Sequence, residues 1–170
     1  MDDELDQGRS GGRRGRPETE RAIELAYSAV SRRERTVAEL RTCLERKRVE
    51  PEAIDAAVED LTAAGFLDDA RYAIRFAEDK SELEQWGSER IARELTRRGV
   101  APELIEAALC ERSHHDEFAA AVILLERRFP TPPGNDRERD RAWRLLVRRG
   151  YASELAYDAI RALERRPRVV

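Results

Sequence analysis

The feature that most constrains this chain is a period. Residues 40–58 can be laid on residues 91–109 and again on residues 142–160, with an offset of 51 residues each time and no gap. The coincidences fall where helices are decided: Leu44 with Leu95 and Leu146, Lys47 with Arg98 and Arg149, Val49 with Val100 and Tyr151, Val58 with Leu109 and Ile160. Arg48 aligns with Gly99 and Gly150 where a helix should stop, and Pro51 aligns with Pro102 and Ser153 where the next should start. A fixed spacing of this kind is the mark of one supersecondary unit stacked on copies of itself, so the unit decides the fold.

Each copy reads as three short helices. In the first, Ile23, Tyr27 and Val30 follow the three-to-four-residue step of a buried helical stripe, which ends in the charged stretch 31–35. Thr36 and Glu39 have the spacing of a capping box, and Val37, Leu40 and Leu44 make the second stripe. Pro51 suits an early turn of the third helix, because its missing N–H has no partner to lose there. That helix buries Ile54, Val58 and Leu61, and Gly65 supplies a left-handed stop. In the second copy Asp68 caps a helix through Ala73, Phe76 and Ala77, and Trp86-Gly87 breaks it. Ile91 with Leu95, and Ile105 with Ala108 and Leu109, form the next two stripes. The third copy offers Phe118, Val122, Leu125 and Phe129, a loop over 130–136, then Trp143 and Leu146. Ser153 is expected to cap the last helix, of Tyr157, Ile160 and Leu163.

The fold expected is all-α: three tandem three-helix repeats in an elongated, curved array. The repeats occupy residues 20–66, 67–113 and 114–165, between a disordered N-terminal tail, 1–19, and a short C-terminal tail, 166–170. The first tail carries Gly8, Gly11, Gly12, Gly15 and four arginines without periodic apolar positions. Composition agrees with slender amphipathic helices, since 39% of residues are charged and 41% hydrophobic. No apolar run approaches a membrane span and the acidic opening Met1-Asp2-Asp3-Glu4 is unlike a signal peptide, so a cytoplasmic protein is expected. Cys43 and Cys110 are then two buried thiols in a reducing compartment.

Catalysis has no visible home. His114 and His115 are adjacent and point about 100° apart on a helix, which suits a surface or capping role better than a shared metal. There is no Gly-rich phosphate loop, no Cys/His cluster and no nucleophile with a His partner. A non-enzymatic protein without metal or cofactor is expected.

Net charge is −3, which is unusual for a protein whose main task is to coat nucleic acid. Counting Lys and Arg against Asp and Glu gives 8 against 9 for residues 21–65, 8 against 11 for 66–112, and 12 against 9 for 113–170. The balance therefore moves from −1 to −3 to +3, and the two ends of the array should meet differently charged surfaces. Basic residues recur at the close of each second helix: Arg46, Lys47 and Arg48; Arg97 and Arg98, extended by Arg90 and Arg93; Arg148 and Arg149. Attraction to the negative end of a helix dipole alone can maintain such a pattern. Regular spacing also matches a periodic partner bearing acid or phosphate groups. Phe66, Tyr72 and Trp86 are either anchors for a partner or core at the helix junctions.

Two stretches carry a specific resemblance. Gly65-Phe66-Leu67-Asp68-Asp69, followed by Tyr72-Ala73, resembles the junction of the first two repeats of the RecX family. Residues 87–100, with Gly87, Arg90-Ile91, Glu94-Leu95 and Arg98-Gly99-Val100, are similar to that family's central signature, and residues 145–151 to its third repeat. The resemblance covers about residues 20–165 and implies a regulator that binds the RecA recombinase filament on single-stranded DNA. Such a regulator usually inhibits filament extension, ATP hydrolysis and strand exchange. Arg48 departs from the glycine usual in the family at the end of the second helix. No catalytic residue is carried over, so the nine basic residues above are the candidate contacts, with weak direct DNA contact and a monomeric state expected.

Two other readings compete. Three short helices with a tight turn also describe a helix-turn-helix DNA reader, whose third helix should carry Arg, Lys, Asn or Gln toward base edges. Here the third helices carry Glu52, Asp55, Glu59 and Asp60, then Glu103, Glu106 and Glu111, which repel phosphate. A generic helical-repeat scaffold is the remaining alternative and predicts no effect on RecA.

Overall fold

The structure is a computed structural model that describes residues 15–110 and 114–165. Residues 1–14 of the expected N-terminal tail, Glu111, and the tail 166–170 lie outside the described residues. Among the described residues there are nine helices and no strand. They are α1 Gly15–Arg32, α2 Val37–Arg46, α3 Pro51–Ala63, α4 Asp69–Glu82, α5 Ser88–Arg97, α6 Pro102–Cys110, α7 His114–Arg128, α8 Asp136–Arg149 and α9 Ser153–Glu164. α1 starts at Gly15, inside the stretch read as tail; the helix contains no further glycine, and Pro17 falls in its first turn, where proline is tolerated.

By packing, the chain divides into two compact units, with the division after Tyr72 inside α4. In the first unit α1 lies against α3, and α2 closes the bundle. Its core is Leu40, Leu44, Ile54, Val58, Leu61 and Leu67, with Ala22, Ala26, Ala29, Ala53 and Ala57. The buried stripe of α1 is thus made of alanines, while Ile23, Tyr27 and Val30 are only half-buried beside it. Alanines buried on both α1 and α3, in one core, suit a close approach of these two helices, with the larger side chains of α1 left half-buried.

In the second unit α9 packs on α7 and α8 around Leu124, Leu125, Leu146, Tyr151, Leu155, Ile160 and Leu163, while Ile91, Leu95, Val100 and Ile105 are buried in α5, α6 and their connection. Tyr157 departs from its expected stripe: it is 54% exposed, its ring tilted against Trp143 at 6.1 Å. Ser153 is not a cap either. Ala152 holds the capping position, and Ser153, at the first helical position like Pro51 and Pro102, accepts a hydrogen bond from the Trp143 indole. Cys110, the last residue of α6, lies beyond its buried turn and is exposed; Cys43 is half-buried, and both are free thiols. The expectation of two buried thiols is corrected accordingly.

Candidate partner-binding site

The second helix of each repeat ends in the same backbone device. Val49, Val100 and Tyr151 donate their N–H groups to the carbonyls of Leu44, Leu95 and Leu146, five residues back, at 3.2, 3.1 and 3.1 Å. The residue before each donor is left-handed: Gly99 at φ +77°, Gly150 at +88° and Arg48 at +58°. This is the Schellman closure, in which one residue turned the wrong way for an L side chain satisfies two orphan carbonyls. The first repeat keeps the geometry without the glycine. Since the closure buries Val49, Val100 and Tyr151 beneath it, the preceding polar residues are forced onto the surface around the helix end.

The nine basic residues fall into three groups by what surrounds them. Arg46, Lys47, Arg48 and Arg148 are exposed and make no ion pair among the described residues. Arg93 and Arg97 are exposed but paired on their own helix, with Glu89 at 3.7 Å and, through two hydrogen bonds of 3.0 and 2.5 Å, with Glu94. Arg90, Arg98 and Arg149 are half-buried and hold the fold together. Arg90 lays its guanidinium on the Trp86 ring, 3.9 Å from its centre, and reaches the Arg148 carbonyl at 3.5 Å. Arg98 packs over Phe76 at 5.1 Å and donates to Glu94, and Arg149 donates to the Glu84 carbonyl.

A close backbone contact explains why these last residues meet. The Gly87 N–H donates to the Arg149 carbonyl at 2.8 Å, and a Cβ on Gly87 would lie 2.3 Å from the Gly150 carbonyl oxygen. A Cβ on Gly150 would in turn meet the Arg90 Cβ at 2.3 Å. Two glycines are therefore needed for the start of α5 to rest on the end of α8. The Tyr151 hydroxyl donates to the Gln85 carbonyl at 3.2 Å across the same junction. The structure brings Arg90, Arg148 and Arg149 together; Arg97 and Arg98 stand at the other end of α5, and Arg46, Lys47 and Arg48 belong to the first unit.

Lys80 was missed by the sequence reading. Its ammonium lies 5.0 Å from the Trp86 ring centre and 5.6 Å from Phe76, opposite Glu84. The available signal was spacing: Phe76 with Lys80 and Trp86 with Arg90 are both aromatic and cation four residues apart. Tyr72 is buried and Trp86 half-buried, as junction core, whereas Phe66 is 55% exposed with its edge toward Tyr27.

Electrostatics follow these contacts. The hydrogen bonds from Arg97, with the charges of Arg97 and Arg98, hold the Glu94 carboxyl below the usual carboxylate range despite its partial burial. Asp69 goes the other way: burial raises it, helped by the charges of Asp68 and Glu39, against the hydrogen bond it accepts from the Val37 N–H at 2.9 Å. That bond belongs to a second recurring device. The start of α2 is capped by Asp69, from the first helix of the next repeat, and by Thr36, which accepts from the Glu39 N–H. The start of α5 is likewise capped from the following repeat, where Glu117 accepts from the Ser88 N–H at 2.7 Å and from its hydroxyl at 2.9 Å. α8 is capped from within its own repeat, where Asn135 accepts from the Glu138 N–H at 3.0 Å.

Among the described residues no helix is long and apolar enough to cross a membrane, and no group of three His, Cys, Asp or Glu is placed to hold a metal ion. Comparison with known proteins is specific. The family descriptions "RecX, first three-helix domain", "second three-helix domain" and "third three-helix domain" match residues 22–61, 68–109 and 115–160 in that order. The regulatory protein RecX of Trichlorobacter lovleyi is 38% identical over 134 residues, covering 76% of this chain and 87% of that protein. That of Deinococcus radiodurans is 33% identical over 142 residues, covering 84% and 68%. The crystal structure of RecX from Lactobacillus salivarius superposes with a TM-score of 0.80 over 88% of this chain and 98% of that one, at 17% identity, a likeness of fold. With three domains matched in order, each built around the same helix closure, the chain belongs to the RecX family of regulatory proteins.

Proposed function

We propose that this protein regulates the RecA recombinase by binding its filament on single-stranded DNA and slowing filament extension, ATP hydrolysis and strand exchange. The observation that carries this reading is the match of all three RecX domains across residues 22–160. The basic helix ends supply the contact surface. Arg46, Lys47, Arg48 and Arg148 make the main contribution, because an exposed cation without an ion pair gives up little on meeting an acidic or phosphate-bearing surface. Arg93 and Arg97 contribute only by exchanging Glu89 and Glu94 for the partner. Arg90, Arg98 and Arg149 act by holding the surface in place.

A sequence-specific DNA reader is disfavoured by the third helices, where Glu52, Asp55, Glu59 and Asp60 on α3 and Glu103 and Glu106 on α6 are all exposed. The deciding experiment adds the purified protein to RecA on single-stranded DNA and follows ATP hydrolysis and filament length. Both should fall as the protein is added. An unchanged rate and length at a several-fold excess would overturn the proposal, and tight salt-resistant binding to a defined duplex would favour the DNA reader instead. Arg148→Glu should weaken filament binding with helix content intact, and equal binding would remove that residue from the site.

A further inference from the structure

Within the second unit a trough of about 440 Å³ runs between the later turns of α4 and the length of α7. Glu78, Ser81 and Glu82, on one face of α4, line one side with Gln85 just beyond the helix end; Asp116, Ala120, Ile123 and Arg127 of α7 line the other. Its side chains give three acids against one base. Glu78 and Glu82 are exposed and make no ion pair among the described residues. Its floor is apolar where Ile123 stands 47% exposed, and Leu83, one residue past Glu82, is 80% exposed. These are two of the four large hydrophobic side chains exposed in the described structure.

A second groove of this unit, between α8 and α9, differs in that its charges are already matched. Arg139 pairs with Asp136 and Glu164, Arg144 with Asp140, and Arg161 with Asp158. On the acidic face of α3, Asp55 is likewise met by Arg41 at 2.6 Å. The α4–α7 trough therefore combines two features that the groove between α8 and α9 does not: an uncompensated negative rim, at Glu78 and Glu82, and an apolar floor at Ile123 between two helices. Such a trough has electrostatic attraction for a cationic polypeptide and apolar area to hold one or two of its side chains.

We infer that the α4–α7 trough is a docking surface for a basic, amphipathic segment of a protein partner, with Lys or Arg against Glu78 and Glu82 and an apolar side chain on Ile123. None of the nine basic candidate residues lines the trough, whose charge is opposite to theirs. One unit would then hold two different parts of a partner, with register fixed by the signs of the two contacts.

The test uses the full ¹⁵N-labelled chain and two synthetic amphipathic peptides of 14 residues with the same Leu positions, one with Lys and one with Glu on the polar face. The Lys peptide should saturably shift the amides of residues 78–85 and 116–127, and added salt should weaken it; the Glu peptide should leave those amides in place. Glu78→Lys with Glu82→Lys should weaken the Lys peptide at least fivefold, and Ile123→Ala should weaken it with charge unchanged. Glu103→Lys with Glu106→Lys on α6 should change it less than twofold. Equal affinity in the trough and α6 variants, or shifts spread evenly over α3 and α6, would overturn the inference. The result does not depend on RecA, so its failure is distinct from failure of the function proposed above.

Discussion

At Arg48 the backbone is held at φ +58°, where a Cβ crowds the next carbonyl at roughly 1–2 kcal/mol for an L residue. Gly99 and Gly150 occupy the equivalent place without that strain. Replacing Arg48 by glycine should stabilise the first repeat by up to about 1 kcal/mol, part of the relief being offset by the freer unfolded chain. Urea unfolding should show a higher midpoint with an unchanged slope. Gly150→Ala should do the reverse and lose about 3 kcal/mol, because the added methyl meets both an unfavourable φ and the Arg90 Cβ at 2.3 Å. The cation at Arg48 is the compensation for its strain if the residue works in binding. The glycine variant then separates the two effects, gaining stability while losing filament affinity.

α2 and α5 each take a cap from the first helix of the following repeat. Glu117→Ala should weaken the start of α5 by about 1 kcal/mol, seen as faster hydrogen exchange in its first turn while α9 is unaffected. Acid should act on two carboxyls with opposite sign. Glu94 is depressed in the folded state, so its contribution is present above the ordinary carboxylate pKa and lost as pH falls through the folded value. Asp69 is raised, so its ionised form disfavours folding at neutral pH, and this is relieved as pH falls through its higher folded value. Between about pH 6 and 3, Glu94→Gln should therefore lose less stability than the parent, and Asp69→Asn, which keeps an acceptor for Val37, should lose more. Denaturant midpoints across that range check both.

For the whole molecule, binding that rests on exposed cations should weaken steeply as salt rises from about 50 to about 200 mM, and the joint loss of Arg46, Lys47 and Arg148 should flatten that dependence. A salt slope unchanged in the triple variant would move the contact elsewhere. Much of this architecture was legible because the closing device is local: Leu44, Leu95 and Leu146 and the residues four to five places on are fixed by one turn of backbone. The buried face of α1 was misread because alanine carries little hydrophobic signal, although Ala22 and Ala26 are fully buried. The candidate site divides for a similar reason. That Arg46 and Arg148 end helices is written in their own segments, but that Arg90 is committed to the Arg148 carbonyl depends on a contact 58 residues away.

Because Asp69 and Glu117 each serve the helix before them, the middle helices of the first two repeats receive these caps only after later sequence has been made. During synthesis from the N-terminus, α2 and α5 wait for carboxylates about 30 residues downstream. A chain cut after its first or second repeat would leave a helix start without its donated cap, whereas in the third repeat Asn135 caps α8 from its own segment.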